Sequence, residues 1–303
     1  MTPRWRRRLI WLVAVALFAA ALAYVAATFQ WSAAFSLLGH LDIALFVGGS
    51  SLFLVAYWLV RALRWRLLMQ GMGVRCRFVS LYLCSSVALS LSVLTPLQSG
   101  EVLKVELLRK CEGAGRLPGY SAFVIERVAD LYAIVALGLV AATAAAFSTA
   151  WAAGVAAALL LLPLCAYPLL SALPASGRLG AFADQVRASV QSPVVLASFI
   201  ALTFAGWLFV AAAWNACLCS VSICLGPMEL VGLLALVTLA TILSFVPAGL
   251  GIAEAGTSGL LIHYGVDPPL AQAGALALRG FSVLVIALGA LHLLWLRLHW
   301  RDR

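Results

Sequence analysis

Six stretches of this chain, residues 9–29, 43–60, 121–147, 151–170, 194–217 and 271–296, stay apolar for 18 residues or more. At 1.5 Å per helical residue, about 20 apolar residues cross a hydrocarbon layer of roughly 30 Å. An ordinary soluble chain is about one quarter charged, whereas only 10% of these 303 residues are. Lipid cannot hydrogen-bond to a backbone, so a spanning segment must satisfy its own amides, as a helix does. The sequence therefore predicts an all-α polytopic membrane protein in which residues 1–303 form one integral membrane domain.

The formal charge of +9 does not point to nucleic acid, because nearly every basic residue flanks an apolar run, as the positive-inside rule requires. Arg4, Arg6, Arg7 and Arg8 precede the first run, which exceeds the 7–15 apolar residues of a signal peptide and reads as an uncleaved span. Two further apolar stretches are broken. Residues 78–97 run into Thr95-Pro96, then Ser99-Gly100-Glu101 and an amphipathic segment ending at Lys110. Residues 228–246 run into Pro247-Ala-Gly249-Leu-Gly251-Ile-Ala-Glu254, then a short segment to Tyr264. Proline and glycine at membrane depth free backbone groups, which survive only inside protein or beside water.

Charge sets the topology of these two stretches. With both as re-entrant hairpins and a cytoplasmic N-terminus, 18 of the 20 Lys and Arg fall in cytoplasmic regions. Arg61 and Arg64 are among them, just past the second span. The other two, Arg127 and Arg279, lie within spans, and the external loops hold none. Full crossings would place the basic group at 104–116 outside. The expected architecture is thus six spanning helices plus two re-entrant broken-helix hairpins in the plasma (inner) membrane, with both termini cytoplasmic.

The halves repeat. Pro96 and Pro247 are 151 residues apart, Glu101 and Glu254 are 153 apart, and Arg127 and Arg279 are 152 apart; Trp65 and Trp214 follow at 149. Residues 1–147 and 151–297 each read as two spans, a hairpin and a third span. Three crossings per half invert the second half relative to the first, a plan that places a transport site near the midplane between paired broken helices.

Six charged residues sit in apolar surroundings: Glu101, Glu126, Arg127, Asp130, Glu254 and Arg279. Unpaired and facing lipid, they would cost on the order of 15–20 kcal/mol, more than a folded state has to spare. They must face the interior, pair, or meet a ligand. Glu126, Arg127 and Asp130 share one helical face within about 100° of arc. Arg279 has no acidic neighbour within a turn, so its partner comes from elsewhere. The spacing predicts Glu101–Arg127 and Glu254–Arg279 contacts. Gln98-Ser-Gly100-Glu101 opens a helix after a proline break, where backbone N–H groups suit an anion, and Lys104 follows one turn later. Glu101, Lys104, Arg127, Glu254 and Arg279 are the candidate substrate-binding residues. Pro96, Gly100, Glu126, Asp130, Pro247, Gly249 and Gly251 are the candidate structural or coupling residues. A purely structural role for the ion pairs, locking hairpins to spans, is compatible with both.

These motifs resemble a known family. Pro96-x-x-x-Gly100-Glu101-x-x-Lys104, Ile125-Glu-Arg-Val-Ala-Asp130, Pro247-x-Gly-x-Gly-x-x-Glu254 and Leu278-Arg279 are similar to the flippase-like family, also called the lysylphosphatidylglycerol synthase transmembrane-domain family. The resemblance covers roughly residues 61–296. It implies a membrane domain that moves lipids or lipid-linked groups between leaflets. The implied partner is a phospholipid, a polyprenyl-phosphate-linked or a hopanoid-type lipid, with a lipid-modifying enzyme as a further implied partner. Some relatives carry a soluble lipid aminoacyltransferase domain; this chain ends at Arg303, so synthase activity is not implied. Where the family often places an asparagine before the first proline, this chain reads Ser90-Leu-Ser-Val-Leu-Thr95.

Other classes fit less well. Gly256-Thr-Ser258-Gly259 matches an intramembrane-protease motif, but His292 lies about 31 Å down the following span from its outer end, beyond nucleophile–base reach. His40, His263, His292 and His299 lack metal-ligand spacing and read as interfacial, and no cofactor motif is present. Trp11, Trp31, Trp58, Trp65, Trp151, Trp295 and Trp300 mostly mark span ends, as an aromatic belt does. Cys217, Cys219 and Cys224 read as small packing residues rather than a disulfide or metal site. A non-transporting scaffold or regulator of a lipid-modifying enzyme is the alternative function.

Overall fold

A computed structural model describes residues 16, 18–165, 167–168, 180–244 and 246–301. The start of the expected first span and the end of the fourth, beyond residue 168, lie outside the described residues. Helix α1 (Phe18–Thr28) bends by 81° into α2 (Trp31–Leu38). Gln272 fixes the bend from the far end of the chain, accepting from the Gln30 N–H at 2.7 Å and donating to the Thr28 carbonyl at 3.2 Å. Then come α3 (Ala44–Gly71), α4 (Phe78–Ser92), a 3-10 turn (Pro96–Val102) and α5 (Leu103–Glu112). They are followed by α6 (Arg116–Ala146), α7 (Thr149–Cys165) and α8 (Gly180–Ser189). The second half holds α9 (Pro193–Cys219), α10 (Pro227–Ser244), a 3-10 turn (Pro247–Gly249), α11 (Ile252–His263) and α12 (Pro268–Arg301). No strand occurs among the described residues.

Five helices, α3, α6, α9, α10 and α12, are long and apolar enough to cross a membrane, or six if the bent α1–α2 pair counts as one span. The two broken stretches that look alike in sequence differ here. With 15 residues, α4 reaches only about 22 Å; with 18 residues, α10 is long enough to span. The second span also runs on to Gly71 rather than ending near Val60. No proline interrupts it, and Arg61 and Arg64 find carboxylates inside the protein.

The packing shows why lipid is the solvent. On α6, Val124, Val128, Leu131, Val135 and Leu139 lie on the exposed face, while Ala122, Glu126, Ala129, Asp130 and Ala133 are buried. This is an amphipathic helix turned outside-in: apolar stripe outward, charge inward. Helix α4 is buried nearly all round. Three of its serines spend their hydroxyls on their own helix, Ser86 donating to the Leu83 carbonyl at 3.1 Å, Ser90 to that of Ser86 at 2.8 Å and Ser92 to that of Leu89 at 2.6 Å, which removes their need for water; Ser80 donates instead to Glu112 on α5.

The order of long helix, shorter helix, 3-10 turn, short helix and long helix occurs twice, over residues 44–146 and 193–301. Helix α3 lies along α9, α4 packs on α12, α10 packs on α6, and the two 3-10 turns touch. Such crossed pairing is what a two-fold relation between halves produces.

Two sequence readings are corrected by the packing. Trp58 and Trp65 are core residues, 1% and 0% exposed, rather than belt residues, because the longer α3 carries them inward. Cys219 and Cys224 form a disulfide: the chain reverses after α9 through Ser222, at φ 66°, and brings their Cα atoms to 4.8 Å. Cys217 stays a buried thiol.

Candidate functional site

The site is assembled around the inward face of α6. Glu126 and Asp130, four residues apart, stack on that face, and Arg127 sits beside them. Facing them on α3, Arg61 and Arg64 are 3% and 2% exposed. They are not cytoplasmic loop residues; α3 continues through them, and they supply counter-charge to the α6 carboxylates. Arg64 donates to Asp130 at 2.6 and 3.1 Å, to Glu126 at 3.4 Å and to the Thr203 hydroxyl on α9 at 3.2 Å. Arg61 donates to the Tyr57 hydroxyl at 2.8 Å, to Asp130 at 3.4 Å and to Glu101.

Glu101 enters from the first 3-10 turn and is wholly buried. Arg61 and Lys104 meet one of its oxygens; Arg127 meets the other at 2.8 Å. Lys104 lies between Glu101, at 3.1 Å, and Glu126, with its ammonium 4.9 Å from the Trp65 ring centre. Arg127 also reaches Asp130 at 2.7 Å. Four basic groups thus interlock with three carboxylates across α3, α5 and α6, leaving one positive charge in excess. Gly100 lets the turn close. Its N–H donates to the Thr95 hydroxyl at 2.8 Å, and a Cβ there would lie 3.1 Å from the Ser92 backbone. Thr95 thereby ties the turn to the end of α4, its hydroxyl donating to the Ser92 carbonyl at 3.0 Å.

The second half holds a smaller version. Glu254 accepts from the Gly251 N–H at 2.7 Å, capping α11, and its other oxygen meets Arg279 on α12. Arg279 also donates to the Ala248 carbonyl at 2.9 Å. Ala248 sits at φ 56°, a left-handed conformation that costs an alanine about 1 kcal/mol or more, so Arg279 pins a strained turn. Gly249 follows at φ +60°, where a Cβ would meet Thr241 at 2.6 Å; only glycine fits. Both contacts expected from spacing, Glu101–Arg127 and Glu254–Arg279, are formed. Arg127 and Arg279 each lie 11 residues into their helices, about 16 Å along.

Between the halves lies a cavity of about 250 Å³, walled by Tyr57 and Arg61 of α3, Arg127 and Asp130 of α6, Trp207 and Trp214 of α9, and residues of α10. Gly249, Glu254 and Arg279 close it from the second half. Of the expected binding residues, Arg127, Glu254 and Arg279 stand on this wall. Glu101 and Lys104 stand behind it with Glu126, fully buried, and hold the wall in place. Pro96 and Pro247 open the two 3-10 turns. Arg61, Arg64, Tyr57 and Trp207 were not candidates in the sequence reading. The available signal was charge balance, because four intramembrane carboxylates against two arginines require further cations nearby.

Outside the spans, Glu106 on α5 accepts from Arg116 at 2.9 Å and from Arg109 and Tyr120 at 3.0 Å. These bonds, Arg116 first, hold its carboxyl down to about 2. The folded value lies below the unfolded one, so the contribution is present above ordinary carboxylate pKa and lost as pH falls towards 2.

The protease motif is split by its partners. Ser258 donates to the Ala255 carbonyl at 3.3 Å, while His292 contacts the Tyr82 hydroxyl at 2.8 Å and the Trp58 ring edge-on at 4.9 Å. His292 is therefore part of the α4–α12 contact rather than an interfacial anchor.

Outward apolar faces, inward charge and an interior cavity define a multi-pass helical membrane protein built around a polar site. The chain belongs to the lysylphosphatidylglycerol synthase TM region family, whose family model matches residues 11–289. A search of curated proteins and one of solved structures gave no match.

Proposed function

We propose that this protein moves the headgroup of an amphipathic, anionic lipid between the leaflets of the plasma membrane. The observation that carries this reading is the cavity between the halves, to which each half contributes an arginine, Arg127 and Arg279, at matching depth in equivalent helices. An anion entering it meets two half-buried guanidinium groups that are held in place by carboxylates. Glu101, Lys104 and Glu126 position Arg127 and Arg61, and Glu254 positions Arg279. The sequence family supports a lipid as partner.

Purified protein reconstituted in proteoliposomes is expected to accelerate flipping of anionic lipids over neutral or cationic ones in a headgroup panel that includes polyprenyl phosphate. No acceleration for any lipid would favour a scaffold or regulator for a lipid-modifying enzyme. That second reading draws on the complete pairing of the Glu101, Glu126 and Asp130 carboxylates.

Alternating access needs the second half inverted relative to the first, with the first hairpin facing the cytoplasm. A disulfide persists in an oxidising compartment, so the Cys219–Cys224 bridge supports an outer-side end of α9, as this topology requires. Single cysteines replacing Gln98 or Glu106, in a chain otherwise without cysteine, should be labelled by impermeant maleimide only after the cytoplasmic face is opened. Labelling of Glu106→Cys in intact cells would reject this topology.

A further inference from the structure

The cavity wall carries a second pattern, in the hydrogen-bonding groups its own neighbours leave over. Trp207 Nε1, Arg279 Nη2 and Arg61 Nε are buried atoms of wall residues that have no hydrogen-bond acceptor among the described residues. All three are donors, and neither indole nor guanidinium can accept. The acidic acceptors of the same wall are taken. Asp130 is met by Arg61, Arg64 and Arg127, and Glu254 by Gly251 and Arg279. The Tyr57 oxygen accepts from Arg61. Thr95 and Thr241 donate to backbone carbonyls of their own segments. A buried donor left without an acceptor is costly, typically about as much as a lost hydrogen bond or more; water or a ligand must serve it.

Resting on the transport reading above, we propose that Trp207 Nε1 and Arg279 Nη2 are direct ligands of a phosphate ester on the transported lipid. The residues that carry these donors line the cavity from three helices, Trp207 on α9, Arg279 on α12 and Arg61 on α3. A tetrahedral phosphate offers several non-coplanar acceptor oxygens to such a set, each bond assisted by charge. The surplus positive charge of the neighbouring network balances one phosphodiester. An ammonium group brings positive charge and no acceptor, and would meet donors on a wall whose carboxylates are engaged. Trp207 is the residue that decides, because its indole N–H gives a hydrogen bond without adding charge; it selects an acceptor, not merely an anion.

The test measures binding apart from transport. Dioctanoyl phosphatidic acid is titrated into the purified full chain in detergent, wild type and Trp207→Phe, with inorganic phosphate, dioctanoylglycerol and didecyldimethylammonium as competitors. Trp207→Phe keeps the ring and loses the N–H. It should bind phosphatidic acid about tenfold more weakly at an unchanged melting temperature. Arg279→Lys, which keeps the charge and loses the guanidinium fork, should weaken binding by a similar factor and serves if the Phe variant does not fold. Neither dioctanoylglycerol nor the quaternary ammonium should compete. Unchanged affinity in both variants, or displacement by the ammonium, overturns the assignment. Equal competition by inorganic phosphate would assign these donors to the free anion and overturn a lipid source. The expected binding pattern in a protein that flips no lipid would reject transport alone; flipping that is indifferent to Trp207→Phe would reject this inference alone.

Discussion

Asp130→Asn should lower the stability of the folded protein by about 3–5 kcal/mol, the cost of stranding buried charge by removing one partner. The Asp130 carboxylate receives Arg64 at 2.6 Å, Arg127 at 2.7 Å and Arg61 at 3.4 Å. Without it, three cations share two remaining carboxylates, which Lys104 also occupies. An asparagine oxygen can still accept, but it carries no charge and its amide adds donors where donors are in excess. The measurement is an unfolding titration in detergent micelles. Glu106→Gln is the control, since it breaks an exposed cluster that solvent screens and should move the midpoint far less. A midpoint for Asp130→Asn no lower than that control would mean that the network does not hold α3 to α6.

Arg279→Ala is expected to destabilise by a similar amount, about 3–5 kcal/mol, for two reasons that act together. Glu254 loses its charge partner, and the left-handed Ala248 loses the hydrogen bond to its carbonyl. Adding Glu254→Gln should recover most of the loss, because a glutamine oxygen can still accept from the Gly251 N–H that caps α11. The double variant then separates two roles. If the pair only locks the second hairpin, folding and lipid flipping recover together. If Arg279 also holds the headgroup, stability recovers and flipping does not; this is the expected result, because an arginine on each side of a shared cavity serves a ligand that faces each half in turn. Thermal melting in detergent and flipping in vesicles, on the same preparation, decide it.

Much of this arrangement was legible along the chain. Apolar run length predicted α6, α9 and α12 to within a few residues. Nearly equal glutamate-to-arginine spacings, about 25 residues in each half, paired Glu101 with Arg127 and Glu254 with Arg279, and both contacts form. What misled was the treatment of charge as a boundary. Arg61 and Arg64 looked like the cytoplasmic end of a span, since a basic residue after an apolar run usually is. They are instead spaced three apart on the inward face of a helix that continues to Gly71. Nothing local distinguishes an arginine that leaves the membrane from one that finds a carboxylate inside it. The same holds for Cys219 and Cys224: their separation of five permits a bridge but does not require one, and a left-handed residue between them closes it.

The sequence by itself determined the class of the protein, most of its helices and the identity of most of the buried charge. These follow from local composition and from the cost of placing charge or bare backbone in hydrocarbon, which every segment pays regardless of its neighbours. Only the tertiary structure decided which charges line the cavity and which stand behind it, and that Trp207, on the cavity wall, keeps a donor its neighbours do not meet. Those depend on how α3, α6, α9 and α12 cross, because a buried polar group acquires its role from the partners that other helices bring or withhold.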